Sequence, residues 1–203
     1  QWAAGYKVDL MFGQDANTFG GQSLVAGALG DGVTDFAVRQ AYVALRAPVG
    51  NGLDFKMGVF DTIIGYESHD AGNNPNYTRS YGYSMEPLTH TGLLASYQAN
   101  EMIGASFGIA NTVGPTISSH YGTGNTLFDE DVPSFNRQAW PTKAESYKTY
   151  MGSLTFTAPE SMGFLAGSTL YGGVVNGFNG STSTADISNG NQTHYYVGST
   201  IAT

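Results

Sequence analysis

The chain has 203 residues, of which 41% are hydrophobic and only 12% are charged, and its formal net charge is -8. Soluble globular proteins carry about a quarter charged residues, so we expect part of this surface to face something other than water. Sixteen carboxylates against eight Lys and Arg residues argue against nucleic-acid binding. Cysteine is absent, which excludes disulfides and thiolate chemistry. No apolar run approaches the roughly 18 residues that a transmembrane helix needs.

The first predicted strand covers residues 5–13, where apolar and polar side chains alternate strictly. A period of two residues is typical of a β-strand with two different faces. Lys7 and Asp9 lie on the polar face. The apolar face carries Tyr6, Val8, Leu10 and Phe12. In a soluble sandwich the apolar face would cover a core, whereas in a membrane barrel it would contact lipid and the polar face would line a wet lumen.

The next two predicted strands, residues 37–47 and 53–59, form a hairpin. Residues 48–52 make its tight turn and contain an Asn-Gly pair, which tolerates positive φ angles at low cost. The alternation fails at one position, because Arg39 would share the apolar face. The polar faces of the two strands carry Gln40, Tyr42, Arg46, Asp54 and Lys56.

Five further segments repeat this plan and bring the predicted total to eight strands. They cover residues 89–98, 103–109, 147–157, 163–175 and 193–202. The polar face of the first of these segments carries His90, Ser96 and Gln98. Short turns are predicted at residues 99–101 and 158–162.

Four long polar connections alternate with the short turns. They cover residues 14–35, 65–88, 111–146 and 176–192 and are rich in Gly, Asn, Ser, Thr, Asp and Pro. Outer-membrane barrels have short periplasmic turns at one end and long extracellular loops at the other, whereas the Greek-key connections of a soluble sandwich imitate only part of that order. The sequence therefore predicts a single all-β domain, an antiparallel up-and-down transmembrane β-barrel. A secreted soluble β-sandwich is the alternative fold.

Four segments carry a resemblance to a known family. They are VRQAYVAL at residues 38–45, GVFDTIIGYE at 58–67, NYTRSYGY at 76–83 and PLTHTG at 87–92, with a looser similarity at 167–171. These motifs resemble those of the OmpL-like β-barrel porin family, and the similarity covers most of the chain. The resemblance implies a passive channel for small hydrophilic solutes in the outer membrane of a Gram-negative bacterium. It also implies contact with outer-membrane lipid and lipopolysaccharide.

The number of strands bears on whether this chain closes a pore by itself. An eight-stranded barrel is narrow and filled by side chains, whereas about sixteen strands leave an aqueous channel. Members of the resembled family are about twice as long as this chain, which would allow about sixteen strands. We therefore expect the 203 residues to be the N-terminal half of a larger porin. A homotrimer is compatible with the resemblance, because trimers are common among porins.

A channel of this kind would be governed by its inward polar side chains, which set the bore, charge and hydration of the path. The alternation of strand faces predicts ten pore-lining residues. They are Lys7, Asp9, Gln40, Tyr42, Arg46, Asp54, Lys56, His90, Ser96 and Gln98. The alternative for each of them is that charges in the lumen only pair with one another and fill space.

The third long connection contains an acidic cluster, Asp129, Glu130 and Asp131, which is followed by Arg137. Three adjacent carboxylates repel one another and need water, a cation or basic partners. We expect either a constriction loop that folds into the barrel opposite basic wall residues, or an exposed acidic loop tip. Calcium binding is a weaker alternative, because the spacing matches no EF-hand loop.

The chain lacks the sequence signatures of an enzyme. Its four histidines show no metal-ligand spacing, and it contains no G-x-S-x-G, Walker or H-E-x-x-H motif. We therefore expect no catalytic residue, no metal site and no cofactor. The main alternative function is a structural or adhesive outer-membrane barrel, in which the barrel is an anchor and the long loops bind partners.

Overall fold

The computed structural model describes residues 1–13, 16, 36–68, 70–111, 148–179 and 190–202. Within these ranges the chain forms eight strands: β1 (Ala3–Phe12), β2 (Phe36–Ala47), β3 (Leu53–Asp61), β4 (Thr89–Gln98), β5 (Ile103–Ala110), β6 (Thr149–Thr157), β7 (Thr169–Asn179) and β8 (Gly190–Thr200). One α-helix, α1 (Tyr81–Met85), and two 3₁₀ helices, Ala71–Asn73 and Glu160–Leu165, lie in the connections. No helix in the described ranges is long and apolar enough to cross a membrane.

The eight strands form a single sheet in the order β1 to β8, and each pairs antiparallel with its neighbours. Ala3, at the start of β1, lies opposite Arg46 near the end of β2. Thr169, at the start of β7, lies opposite Thr200 at the end of β8. In the described part of the chain β1 and β8 do not pair with each other, so the sheet is open. The predicted all-β, up-and-down antiparallel architecture is confirmed.

The alternation of the sequence separates the side chains of the sheet into an outer and an inner face. On the outer face large apolar side chains remain exposed, for example Tyr6 at 84%, Leu154 at 64% and Val197 at 78%. The same face carries Val8, Phe12, Val43, Met57, Phe107, Tyr150, Leu170 and Tyr195. Inner-face residues of all eight strands line one common cavity, which means that the sheet curves around it.

A β-bulge in β2 explains the break in the sequence alternation. The register of β1 against β2 shifts by one residue between Asp9 and Leu10, which makes Arg39 the extra residue of the bulge. Its guanidinium reaches the carboxylate of Asp61, to which Gln40 also donates a hydrogen bond. The bulge thus brings a basic side chain to the polar network of the inner face.

The start of the seventh strand differs from the prediction. β7 begins at Thr169 and not at residue 163, because Glu160–Leu165 form a 3₁₀ helix. Gly163 at φ 61° and Gly167 at φ 80° adopt left-handed conformations that interrupt an extended strand. The connection between β6 and β7 is therefore longer than the predicted turn at residues 158–162.

Two of the long connections also have other bounds than predicted. β7 extends to Asn179 and β8 begins at Gly190, so strand residues replace both ends of the predicted loop 176–192. β3 ends at Asp61, so the second long connection begins before residue 65. Composition alone misplaced these ends, because Gly, Asn and Thr are frequent in the strands of this chain as well as in its loops.

A small apolar core lies on the inner face of the sheet. It consists of Phe60, Ile64, Leu94, Ala110, Met151 and Val175. All of its members except Ile64 belong to strands β3 to β7. Ile64 comes from the connection that follows β3, so part of that connection must fold onto the inner face.

Candidate functional site

The curved inner face of the open sheet borders a cavity of about 830 Å³. Every strand contributes at least one lining residue. In strand order these include Lys7, Tyr42, Lys56, Ser96, Ser106, Ser153, Tyr171 and Tyr196. The volume lies in the ordinary range of small-molecule sites, about 300 to 1,000 Å³. The cavity is therefore the candidate functional site.

The side of the cavity formed by β1 to β3 is charged. Lys7 Nζ lies 3.0 Å from Asp9 Oδ2. Gln40 Nε2 donates to Asp9 and to Asp61, each at 3.0 Å. Arg39 Nη2 lies 3.0 Å from the same Asp61 oxygen. The opposite charges on this side are thus arranged so that each carboxylate has a basic neighbour.

Arg39 also joins this charged side to the connection that follows β3. Its Nη1 donates to Asp70 at 3.0 Å, and its side chain is only 16% exposed. Asp70 precedes the 3₁₀ helix Ala71–Asn73. Because hydrogen bonds between ionised groups are about twice as strong as neutral ones, the largely buried guanidinium fixes this connection to the rim of the sheet.

Three further contacts belong to this side, and the two that Arg46 makes lie at a short turn. Arg46 Nη1 and Asp54 Oδ2 are 3.5 Å apart, and both side chains are about half exposed. Arg46 also donates to the carbonyl of Asn51 at 2.9 Å. Lys56 Nζ lies 5.2 Å from the centroid of the Tyr42 ring, which is a cation–π contact. The turn end of this side therefore carries exposed and mutually balanced charges.

Hydroxyl groups dominate the side of the cavity formed by β4 to β8. Ser96, Ser106 and Ser153 are register partners on three neighbouring strands, and the hydroxyls of the first two are 2.9 Å apart. The rings of Tyr171 and Tyr196 have centroids 6.0 Å apart at an interplanar angle of 59°. Among the described lining residues of these five strands none is charged. The cavity thus has a charged side and a neutral, hydroxylated side.

The chain that leaves β3 folds into the cavity. All of residues 62–66, hereafter the inward segment, line it. Ile64 is only 4% exposed and packs into the apolar core. Gly173 on β7 makes room for this packing, since a Cβ atom there would lie 2.8 Å from Ile64 Cγ2. The inward segment therefore spans the inner face from β3 to β7.

Hydrogen bonds hold the inward segment at both sides of the cavity. The amide of Thr62 donates to the carbonyl of Leu88 at 2.9 Å, and its hydroxyl lies 2.9 Å from His90 Nε2 on β4. On the opposite side, the hydroxyl of Tyr171 donates to the carbonyl of Ile63. Anchors on β4 and β7 fix the height at which the segment crosses the cavity.

Outside the strands, Glu67 and Ser80 hold the rest of this connection together. The Ser80 amide donates to both Glu67 oxygens, at 3.0 and 2.9 Å, and the Ser80 hydroxyl donates to one of them. The hydrogen bond from the Ser80 hydroxyl has the larger effect and that from the Ser80 amide the smaller, and together they lower the pKa of Glu67 below its ordinary value of 4.5. Burial, and next the charge of Glu67, raise the pKa of Glu86 above 4.5. The two carboxyl groups of this connection therefore differ in acidity.

The structure brings together half of the ten residues predicted to line a pore. These are Lys7, Gln40, Tyr42, Lys56 and Ser96. They come from four neighbouring strands and share the inner face, as the alternation requires.

The other five predicted residues occupy different places. Asp9 is not among the described lining residues, but it contacts two of them, Lys7 and Gln40. Near the short turns lie Arg46, Asp54 and Gln98. His90 is 0% exposed beneath the inward segment, so its ring has no contact with the cavity.

Sequence reasoning missed several lining residues, namely Ser106, Ser153, Tyr171, Tyr196 and the inward segment. The two serines and the two tyrosines occupy inner positions of β5 to β8, so the alternation contained the signal. The residue type did not show which face a tyrosine occupies, because Tyr195 lies on the outer face and its neighbour Tyr196 on the inner face. The alternation of side chains did not mark the inward segment, because this segment lies outside the strands.

The predicted constriction loop, with Asp129, Glu130, Asp131 and Arg137, falls outside the described residues. In the described part of the chain, the segment that enters the cavity is residues 62–66 of the connection between β3 and β4. In the ranges that the structure describes, no three His, Asp or Glu side chains are grouped closely enough to hold a metal ion.

An antiparallel meander with an apolar outer face and a polar inner cavity fits a β-barrel. The family model described as "Putative beta-barrel porin-2, OmpL-like" matches residues 1–201, and the chain belongs to this family. The resemblance carried by the four sequence motifs is thereby confirmed. Neither the comparison with curated proteins nor that with solved structures gave a match.

Proposed function

We propose that the chain forms the wall of a passive diffusion channel for small hydrophilic solutes in a bacterial outer membrane. The observation that carries the proposal is the separation of side chains over all eight strands, with exposed apolar groups outside and one polar cavity inside. Membership in a porin family supports the same function. Solutes cross down their own concentration gradient, so the channel needs no catalytic residue and no cofactor.

The outer face favours lipid as its surroundings. Tyr6, Phe107 and Val197 are each more than half exposed, at 84%, 62% and 78%. Removing an apolar side chain of this size from water contributes about 1.5 to 3 kcal/mol. A soluble β-sandwich would cover such a face with a second sheet, and the described residues form only one. The proposed surroundings are therefore outer-membrane lipid and lipopolysaccharide.

The open edges of the sheet bear on the size of the channel. β1 and β8 have backbone groups that no described strand pairs, and in hydrocarbon each unpaired group costs several kcal/mol. In the proposed channel further antiparallel strands pair with both edges, as expected for half of a porin with about sixteen strands. Mass spectrometry of the protein isolated from membranes tests this arrangement. An intact mass near 21.5 kDa would contradict it.

The inward segment gives the proposed channel a narrow point. Its anchors on β4 and β7 hold Ile63 and Ile64 across the inner face. Solutes must therefore pass beside an apolar segment at this height and beside polar side chains below it. This narrowing belongs to the proposal and does not depend on the acidic cluster of the third long connection.

The charges of β1 to β3, together with Asp70 in the connection that follows β3, predict weak ion selectivity for this part of the wall. Four basic residues face four carboxylates. The basic residues are Lys7, Arg39, Arg46 and Lys56, and the carboxylates are Asp9, Asp54, Asp61 and Asp70. The electric fields of neighbouring opposite charges cancel at distances longer than their separation. This side of the wall therefore favours neither cations nor anions strongly.

Planar-bilayer recording of the purified protein tests the proposed function. We expect stable single-channel current steps from protein that shows heat-modifiable gel mobility, which is the mark of a folded barrel. Folded protein that gives no current would reject the channel and leave a structural or adhesive barrel. The homotrimer suggested by the resemblance stays a prediction, and cross-linking in detergent tests it.

A further inference from the structure

We propose that the neutral side of the cavity binds an uncharged, polyhydroxylated solute of the size of a monosaccharide or disaccharide. The inference deepens the function proposed above and rests on it, because the same cavity is the proposed permeation path. Two features of the β4 to β8 side carry it. One is a row of hydroxyl groups, and the other is a pair of tyrosine rings that line the cavity.

The hydroxyl row consists of Ser96, Ser106 and Ser153. They are register partners on β4, β5 and β6 and all line the cavity. Since neighbouring strands are about 4.8 Å apart, the row offers a hydroxyl at each strand across roughly 10 Å. Each hydroxyl donates one hydrogen bond and accepts others. This matches the hydroxyl groups of a sugar, which also donate and accept.

The two tyrosine rings lie beside this row. Each ring covers the glycine two residues further along its own strand. A Cβ atom on Gly173 would lie 3.4 Å from Tyr171 Cε1. One on Gly198 would lie 3.0 Å from Tyr196 Cε1. Both rings line the cavity, where the apolar C–H face of a sugar ring can pack against an aromatic side chain.

The charges around the cavity favour a neutral solute. Lys7 is paired with Asp9 at 3.0 Å, and Lys56 lies over the ring of Tyr42. None of the described lining residues on β4 to β8 is charged. A charged solute at the hydroxyl row would lose part of its hydration without meeting an opposite charge there.

The volume of the cavity suits such a solute. Sites of about 300 to 1,000 Å³ hold small organic molecules, and the described strands alone border a space of about 830 Å³, to which the further strands of the proposed channel would add. The inward segment adds an apolar ceiling, because Ile63 and Ile64 line the same space. A sugar bound here would meet hydroxyl groups and ring faces on the wall and apolar atoms above.

Ion current through single channels, titrated with glucose and with sucrose, tests the site. A bound sugar obstructs ions, so the current falls as the sugar concentration rises and then saturates. Tyr196→Leu removes the ring face and keeps an apolar side chain, and it weakens the block roughly 3- to 10-fold. Tyr195→Leu is the matched control, because the neighbouring Tyr195 is 82% exposed on the outer face. This control leaves the block unchanged.

Ser106→Ala is the second variant and keeps the test decisive if Tyr196→Leu fails to fold. It removes one hydroxyl from the middle of the row and weakens the block roughly 2- to 10-fold. Equal weakening by Tyr195→Leu and Tyr196→Leu would place sugar binding elsewhere and overturn the site. A tighter block by glucuronate than by glucose would overturn the preference for a neutral solute.

The outcomes separate this inference from the function on which it rests. Channels that conduct ions but show no saturable block by either sugar would overturn the site and leave the proposed function standing. Folded protein without any conductance would reject the channel, and calorimetric titration of that protein in detergent with glucose then decides on the site. Binding that Tyr196→Leu weakens and Tyr195→Leu does not would support the site, and no binding would overturn it.

Discussion

The hydroxyl of Tyr171 on β7 donates a hydrogen bond to the backbone carbonyl of Ile63, which belongs to the inward segment. These two residues come from parts of the sheet that are four strands apart in its order. A single side chain thus connects the far side of the curved sheet to the chain that leaves β3. The position of the inward segment depends on this contact and on its anchors near β4.

Tyr171→Phe should loosen the inward segment. The substitution keeps the ring and leaves the Ile63 carbonyl without its donor, which costs about 0.5 to 1.5 kcal/mol. We expect noisier single-channel currents and a higher mean conductance, because the segment spends more time away from the cavity. Tyr195→Phe removes a hydroxyl from the outer face and serves as the control. Equal noise in the two variants would contradict the role of the hydrogen bond.

Gly173→Val should destabilise the protein, whereas Gly172→Val should not. A Cβ atom at Gly173 would lie 2.8 Å from Ile64 Cγ2, while one at Gly172 would meet nothing within 4 Å. Overpacking of this kind costs about 1 to 3 kcal/mol, and a change on the open outer face stays within about 0.5 kcal/mol. Urea unfolding in lipid vesicles measures both. A similar loss of unfolding free energy in the two variants would show that Ile64 does not pack against β7.

Arg39→Gln should make the channel prefer cations more strongly. The largely buried guanidinium contacts Asp61 and Asp70, each at 3.0 Å, and its removal leaves both carboxylates without this partner. Arg46→Gln removes the same charge from the exposed turn end, and we expect a smaller effect there because water screens it. Reversal potentials in a salt gradient compare the two. Equal shifts would place Arg39 outside the permeation path.

Acidic pH should weaken the contact between Glu67 and Ser80. The pKa of Glu67 in the folded protein lies below its ordinary value of 4.5. Its ionised form therefore stabilises the connection above that value, and the contribution is lost as the pH falls through the lowered pKa. Hydrogen-exchange protection of the Ser80 amide, measured from about pH 6 to about pH 3, reports this loss.

Glu67→Gln provides the control for that titration, because the amide cannot ionise. Its Ser80 protection should be low throughout and show no step with pH. Glu86→Gln should leave the step in place, since burial and the charge of Glu67 raise the pKa of Glu86 and do not lower it. A step that persists in Glu67→Gln would assign the titration to another group.

The sequence predicted most of the architecture, because the alternation of side chains records which face of a strand meets an apolar environment. Lys7 and Lys56 were assigned to the inner face in this way, and both line the cavity. The bulge at Arg39 was visible only as a broken alternation, since a bulge depends on the register with the neighbouring strand. Strand order was predictable as well, because short and long connections alternate.

The inward segment could not be predicted from the sequence. Ile63 and Ile64 lie only two and three residues after the end of β3 and are apolar, so they suggest a continuation of β3 as readily as a fold into the interior. Their position depends on Gly173 and Tyr171, which lie more than a hundred residues away in the chain. The role of the acidic cluster around Glu130 stays a prediction.

The register at the two edges of the sheet limits how it can be completed. Ala3 lies beside the end of β2 and Thr200 beside the start of β7, so the chain enters the sheet in β1 and leaves it in β8 at the same rim. β1 therefore runs away from this rim and β8 runs toward it. A barrel that closes between β8 and β1 keeps every strand pair antiparallel only if the number of additional strands is zero or even. An odd number would place two parallel strands side by side.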